Sequence, residues 1–409
     1  MIKKIFTILC CCISFTLQAQ ETPRVPSLKD SALFSADSLK IKQIRHPQSP
    51  KPKYQKFAFS GYLKLKSTFD FGPNLANTSE FITSSIPTGL DMIQEKTRLS
   101  FDARESRIAF DGNFKEGNQL IHTYVEADFY ASEELAIRYL NLRLAYIDIW
   151  KFHIGRDWST FVNLEAIPLQ VDFEGPNSLP GPKNEMIRFV HDINKRTVLN
   201  VAVETHASDY TSILNDDPRY TSVPDLVSNI TFSRNWGQFS MATVIRDISY
   251  LNTLEDTKHL FGMGANVAGL INLYPSANNT QKDNLMFMAV AGKGISYYID
   301  DLSGAGLDAF PLSKNSLSAL RAGGGYIAFQ HYWTKNMSST ALGSYLALEN
   351  DPRLDQGVFK SSLYLSGNLI ITPIKNFMVG VTFLYGKYTV QSSAKGHASR
   401  IQSMFMYSF

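Results

Sequence analysis

From Lys56 to Phe409, apolar and polar residues alternate in one stretch after another, and a period of two restricts such a chain to strands with unlike faces. Phe57, Phe59, Leu63, Leu65, Phe69 and Phe71 share one face, with Ser60, Lys64, Lys66, Thr68 and Asp70 on the other. Leu99, Phe101 and Ala103 alternate with Ser100, Asp102 and Arg104. The phase then flips: Ser106, Ile108 and Phe110 take the apolar side against Arg107 and Asp111, which predicts a β-bulge near Glu105. Thr123, Val125, Ala127 and Phe129 oppose His122, Tyr124, Glu126 and Asp128. Leu140, Leu142, Leu144 and Tyr146 oppose Asn141, Arg143 and Ala145, and Trp150, Phe152 and Ile154 oppose Lys151 and His153.

The last stretch, SRIQSMFMYSF, places Ile401, Phe405, Tyr407 and Phe409 on one face. A soluble strand would have to bury that face in a core, whereas a barrel strand can turn it to lipid and set its aromatics at the membrane interface. This terminus resembles the C-terminal insertion signal of bacterial outer-membrane barrels, with Phe405, Tyr407 and Phe409 as the signal residues. Their partners would be the outer-membrane bilayer and the barrel assembly machinery. No apolar run after the N-terminus reaches the ~18 residues of a spanning helix, so a closed barrel is the remaining way to satisfy backbone hydrogen bonds in lipid.

The N-terminus supports export. Lys3 and Lys4 precede an apolar run from Ile5 to Leu17, and Ala19 offers a cleavage point, so residues 1–19 read as a signal peptide. Cys10, Cys11 and Cys12 are the only cysteines and lie inside it, which leaves the mature chain without disulfides or thiolate metal sites. Residues 20–55 are Pro-rich and poor in aromatics, and read as a mostly disordered periplasmic leader. A net charge of +3 with no basic tract argues against nucleic acid as a partner.

About 16 strands are expected, near 57–71, 98–111, 120–130, 138–147, 150–156, 185–192, 196–205, 224–233, 237–248, 260–272, 283–292, 320–333, 337–349, 359–373, 376–389 and 398–409. Their connections alternate. Those at 72–97, 131–137, 157–184, 206–223, 249–259, 293–319, 350–358 and 390–397 are long or middling. The others fall at 112–119, 148–149, 193–195, 234–236, 273–282, 334–336 and 373–375. Long external loops and short periplasmic turns produce that alternation when both termini lie in the periplasm. The fold class is therefore an all-β transmembrane antiparallel barrel over 56–409, wide enough for an aqueous lumen.

Three stretches carry a more specific likeness: RDWSTFVNLEAIPLQVDFEGP from Arg156, PIKNFMVGVTFLYG from Pro373, and ASRIQSMFMYSF from Ala398. With Glu105-Ser106-Arg107, they resemble the DcaP-like outer-membrane porin family over about 57–409. The resemblance implies a 16-stranded homotrimeric diffusion channel for small anionic and dicarboxylic solutes, without cofactor. The leader lacks the heptads of the coiled coil that some members carry, and Glu105 stands where Gln is expected.

Loop 157–184 is the longest connection and unusually apolar for an exposed one. It is expected to fold inward and narrow the pore, with Asp157, Trp158, Phe161, Glu165, Asp172, Phe173 and Glu174 as its functional residues. The alternative is an external loop packed on a neighbouring subunit. Alternation puts Lys64, Lys66, Arg98, Arg104, Arg107, Arg143, Lys151 and His153 on the lumen face, with Arg188 beside them and Arg246 and Arg321 less cleanly assigned. A positive ring would favour anions, since Arg grips carboxylates with paired hydrogen bonds. The competing outcome is a neutral wall in which these cations pair with Asp102, Asp111, Glu126 and Asp128. No metal-spaced His pair, phosphate loop or serine elbow is present, so enzymatic readings find no support. A non-transport barrel, serving as adhesin or structural protein, is the main alternative to a porin.

Overall fold

The computed structural model describes residues 56–72, 75, 77–89, 97–130, 139–205, 209–214, 222–275 and 282–409. The expected signal peptide, the leader and the connection at 131–137 lie outside the described residues. In chain order the strands are β1 (Lys56–Asp70), β2 (Arg98–Asp102), β3 (Arg107–Glu116), β4 (Gln119–Asp128), β5 (Asn141–Ile149), β6 (Phe152–Trp158), β7 (Lys183–Asn194), β8 (Thr197–Thr205), β9 (Asp225–Arg234) and β10 (Gly237–Leu251). They continue with β11 (Thr257–Pro275), β12 (Lys282–Lys293), β13 (Ala309–Ser313), β14 (Ser316–Ala319), β15 (Arg321–Thr334), β16 (Met337–Leu348), β17 (Phe359–Ile374), β18 (Phe377–Val390) and β19 (Lys395–Ser408). No helix is long and apolar enough to cross a membrane among the described residues.

Seventeen of these strands form one antiparallel sheet that closes on itself through β1 and β19, while β13 and β14 form a separate hairpin. β2 and β3 are two halves of one stave, since β1 pairs with β2 at Lys66–Asp102 and then with β3 at Tyr62–Arg107. The barrel thus has 16 staves. Residues 103–106 leave the ladder between the halves, and this break produces the phase flip: Leu99 and Phe101 point outward before it, Phe110 after it. Ser106 does not follow the outward phase expected of it. It is buried, and its hydroxyl accepts from the Lys64 backbone N–H at 3.0 Å.

The outward residues are mostly those that alternation put on the apolar face, but a register shift beside Arg143 turns Leu144 and Tyr146 inward, and both are buried. Phe59, Leu63, Leu99, Phe101, Phe261 and Ile327 are among the most exposed large side chains, as lipid contact requires. Phe405, Tyr407 and Phe409 also lie outward, each close to half exposed, and Phe409 stacks on Phe59 with centroids 5.8 Å apart. Its backbone exchanges hydrogen bonds with Gly61, so the terminal strand closes the barrel.

The turns sit slightly off their expected places. Strands β3 and β4 run on to the tight turn at 117–118, and the turn expected at 148–149 is at Trp150-Lys151. Trp150 takes a positive φ of 55° there. Lys151 is therefore not on the lumen face: β5 ends before it, and its ammonium lies 5.9 Å from the centroid of the outward-facing Phe189 ring.

Candidate functional site

The barrel interior is not empty in its upper half. The segment 159–182 leaves β6, turns inward and makes a circuit of the wall. Asp157 and Trp158, placed in this loop by the sequence, are the last residues of β6, and 183–184 begin β7. The Ser159 hydroxyl and the Thr160 N–H both donate to Glu204 on β8, each at 2.7 Å. The Asn163 amide donates to Ser240 on β10, Asn266 on β11 donates to the Phe161 carbonyl, and Tyr326 on β15 donates to the Ala166 carbonyl. On β17, Asn368 donates to the Leu169 carbonyl, Ser366 meets Gln170, and Tyr364 donates to Asp172. Ser178 then reaches Ser344 on β16. A loop packed outside the barrel could not touch the inward face of these six staves.

An apolar core holds the segment in place. Phe161, Ala166 and Leu179 join Tyr298, Ile299 and Leu302 from segment 294–320, and Leu75, Phe81 and Ile86 from segment 71–97. Together they pack on Val244, Met288, Leu342, Leu346 and Leu384 of the wall. Phe161 is fully buried, edge-on to Tyr298 with centroids 5.4 Å apart. Inward residues of β10 to β18 are mostly small or apolar, which is why the inserted loops dock there.

Where the three segments meet, carboxyls accumulate: Glu80, Asp172, Glu174, Asp300 and Asp301. Burial pushes the Glu80 carboxyl up to about 7, with Asp172 and Glu105 adding to the rise against the pull of Lys66. Burial likewise raises Asp301 to about 6, although the Thr83 and Ser362 hydroxyls bond to it. Burial and then Glu80, Asp300 and Asp301 lift Glu174 well above the usual range. Asp172 is raised by burial against the opposing charges of Lys66 and Arg400. The sequence reading missed Glu80, Asp301 and Arg400. For Arg400 the signal was available, because it alternates with Ile401; it is fully buried and bonds Asp70 as well as the carbonyls of Asn77 and Glu80.

Each cation of the expected ring that lies on the wall meets a carboxylate. Lys64 and Lys66 both bind Glu105. Arg98 pairs with Asp70, Arg104 with Asp102, Arg107 with Glu126, and Arg143 with both Glu126 and Asp128. Asp111, which the competing neutral-wall outcome paired with an arginine, meets His122 instead. Aromatic rings cover three of the guanidiniums: Tyr130 over Arg104 at 4.6 Å, and Tyr62 over Arg107 and Phe173 over Arg143, both at 5.3 Å. Arg98 and Arg188 keep 29% and 16% of their side-chain surface exposed. His153 faces the interior between Asp148 and Asp157. Glu165 is exposed, and its backbone N–H donates to the Asn163 side chain. Arg246 is buried between Asp225 and Asp308, and Arg321 is exposed at the start of β15. Towards the end that carries the short turns the wall opens, and Ser60, Tyr62, Asp111, Asn113, His122, Arg188 and Asn200 are all half-exposed.

Comparison with known proteins agrees with this architecture. A family model described as DcaP outer membrane protein matches residues 29–409. The crystal structure of the outer membrane channel DcaP of Acinetobacter baumannii superposes with a TM-score of 0.75 at 20% identity, covering 88% of this chain and 99% of that one. An anion-selective porin from Comamonas acidovorans gives 0.58 at 8% identity, covering 87% and 100%. A trimer form of OmpT from Vibrio cholerae gives 0.50 at 10%, covering 87% and 99%. No curated protein matches the chain.

Proposed function

Because the chain belongs to the DcaP outer membrane protein family, a family of outer-membrane channels, we propose that it passes small polar solutes by passive diffusion, with a modest preference for anions such as carboxylates. The observation that carries the reading is the path of segment 159–182 across the lumen: it narrows a wide barrel without sealing the polar periplasmic half. Transport of this kind needs no catalytic group, cofactor or energy source. Residues 1–19 act as the export signal, the terminal Phe405, Tyr407 and Phe409 as the recognition element for barrel assembly, and the working unit is a homotrimer.

The anion preference rests on Arg98 and Arg188, one towards each end of the covered stretch, because both keep accessible surface. Arg104, Arg107 and Arg143 brace the wall and contribute through its rigidity. Purified protein in a planar bilayer should give ohmic steps, and the reversal potential in a potassium chloride gradient at pH 6 should have the sign of anion preference. Arg98→Gln with Arg188→Gln should reduce that potential, while Arg321→Gln, exposed at the rim, should not. Folded protein without channel steps would refute the porin reading in favour of a non-transport barrel. A cation-selective potential at pH 6 would refute only the charge assignment.

A further inference from the structure

One row of side chains crosses five neighbouring strands of the wall. Asn113 on β3 opposes His122 on β4, His122 opposes Asp148 on β5, Asp148 opposes His153 on β6, and His153 opposes Arg188 on β7. Two further carboxylates flank the row, Asp111 on β3 and Asp157 at the top of β6. His122 holds Asp148 with Nδ1 at 2.7 Å and Asp111 with Nε2 at 3.2 Å. His153 holds the other oxygen of Asp148 with Nδ1 at 2.7 Å. Its Nε2 stands 3.2 Å from Asp157, too oblique for a hydrogen bond but close enough for charge attraction. Arg188 reaches Asp157 at 3.3 Å and bonds the Thr160 hydroxyl and the Trp158 carbonyl. The remaining neighbours are the Tyr146 ring against both imidazoles, Tyr124 stacked on Tyr146, and the Asn113 amide on Asp111.

Both nitrogens of both histidines therefore face carboxylate oxygen, an acceptor only. A neutral imidazole would aim a lone pair at one of its two carboxylates; the imidazolium meets each with a proton. Charge balance gives the same answer: Asp111, Asp148 and Asp157 are matched by Arg188 only if both histidines are also positive. The row is not sealed. Side-chain exposure falls from 39% at Asp111 and 25% at His122 to 6% at His153 and 1% at Asp157, so the titrating end meets the lumen water.

We infer that His122 and His153 are selectivity-determining residues whose protonation sets the sign of the wall charge met by a permeating ion. With both protonated the row, Arg188 included, is neutral, and the accessible Arg98 governs selectivity. With both neutral the row carries two uncompensated carboxylates beside the solute path and favours cations. Each unpaired charge passed at roughly 7 Å in water changes the local concentration of a monovalent ion about threefold at low salt, so two should move the anion-to-cation permeability ratio several-fold. The inference rests on the reading of this barrel as a conducting channel.

The test measures reversal potential in a dilute potassium chloride gradient from pH 6 to pH 10 for wild type, the double variant His122→Gln/His153→Gln, and a quadruple variant adding Asp111→Asn and Asp148→Asn. Wild type should move several-fold towards cations across this range. The double variant should be shifted by that amount already at pH 6 and change little further. The quadruple variant, again balanced, should return to the wild-type value at pH 6 and hold it through the range. A double variant matching wild type at pH 6, or keeping the full pH shift, would overturn the assignment. Nitrogen-15 histidine resonances of the detergent-solubilised protein provide a readout independent of conduction. Two doubly protonated rings are expected at pH 7, absent in the double variant, and neutral tautomers at those positions would overturn the inference. Loss of channel steps in wild type counts instead against the porin reading.

Discussion

Phe161→Ala tests whether the inserted segment controls the pore. The ring is fully buried between wall and segment 294–320, against Tyr298, while the neighbouring backbone is held by Asn266 and Glu204. Truncating a buried Phe to Ala costs about 3–5 kcal/mol when the site cannot collapse. Here the rigid wall limits collapse, and the loss falls on docking, because the staves keep all their ladder hydrogen bonds. The population of undocked segment should therefore rise roughly 10²–10⁴-fold. In single-channel records this should appear as frequent excursions to a higher conductance. Externally added protease should cut within 159–182 faster than in wild type. A variant with residues 163–179 replaced by a short Gly-Ser link supplies the fully open reference. If the linked variant conducts as wild type does, the segment does not narrow the pore. If Phe161→Ala shows neither excursions nor faster cleavage, the packing is not what holds it.

Two further outcomes follow from the buried charges. The carboxyls of Glu80 and Asp301 titrate near 7 and 6 when docked, above their free values, so the docked junction binds more protons than the undocked one. Its stability is therefore greatest at low pH, falls as pH rises through the docked values, and levels off above about 7; the loss for Glu80 is on the order of 3 kcal/mol. Cleavage within the inserted segments should accelerate between pH 5 and pH 8, and Glu80→Gln with Asp301→Asn should flatten that dependence. Glu105→Gln leaves the ammoniums of Lys64 and Lys66 buried without their shared carboxylate, which should cost about 3–5 kcal/mol in urea unfolding of the barrel, with part recovered by adding Lys66→Met. An unchanged unfolding midpoint would show that water already reaches this pair.

The staves were legible because each answers to two solvents. A side chain on β1 such as Leu63 faces lipid, its neighbour Lys64 faces the interior, and the contrast repeats every second residue without reference to anything distant in sequence. The break near Glu105 was legible for the same reason, as a change of phase. The pairing of the wall cations was not. Whether Arg143 offers its guanidinium to a solute depends on Glu126 and Asp128 across the strand and on Phe173 from a loop, and no local pattern encodes that arrangement. Lys151 was misplaced because alternation continues smoothly through 150–151, where a positive φ at Trp150 makes the turn and β6 begins only at Phe152.

The division of the wall explains why these errors concern charge and spare the fold. Inward residues of β1 to β7 carry nearly all the wall's ion pairs, whereas those of β10 to β18 present Val244, Met288, Leu342 and Leu384 to the inserted loops, with Arg246 the buried exception. An apolar inward face is useless beside water, so the loops must cover it, and covering it leaves the water against the charged sector. The path of a solute is then fixed by which staves lack apolar inward residues. Its selectivity is fixed by how completely the charges on those staves cancel. In the row from Asp111 to Arg188, that cancellation depends on two imidazoles, the one kind of side chain whose charge changes near the pH at which the cell lives.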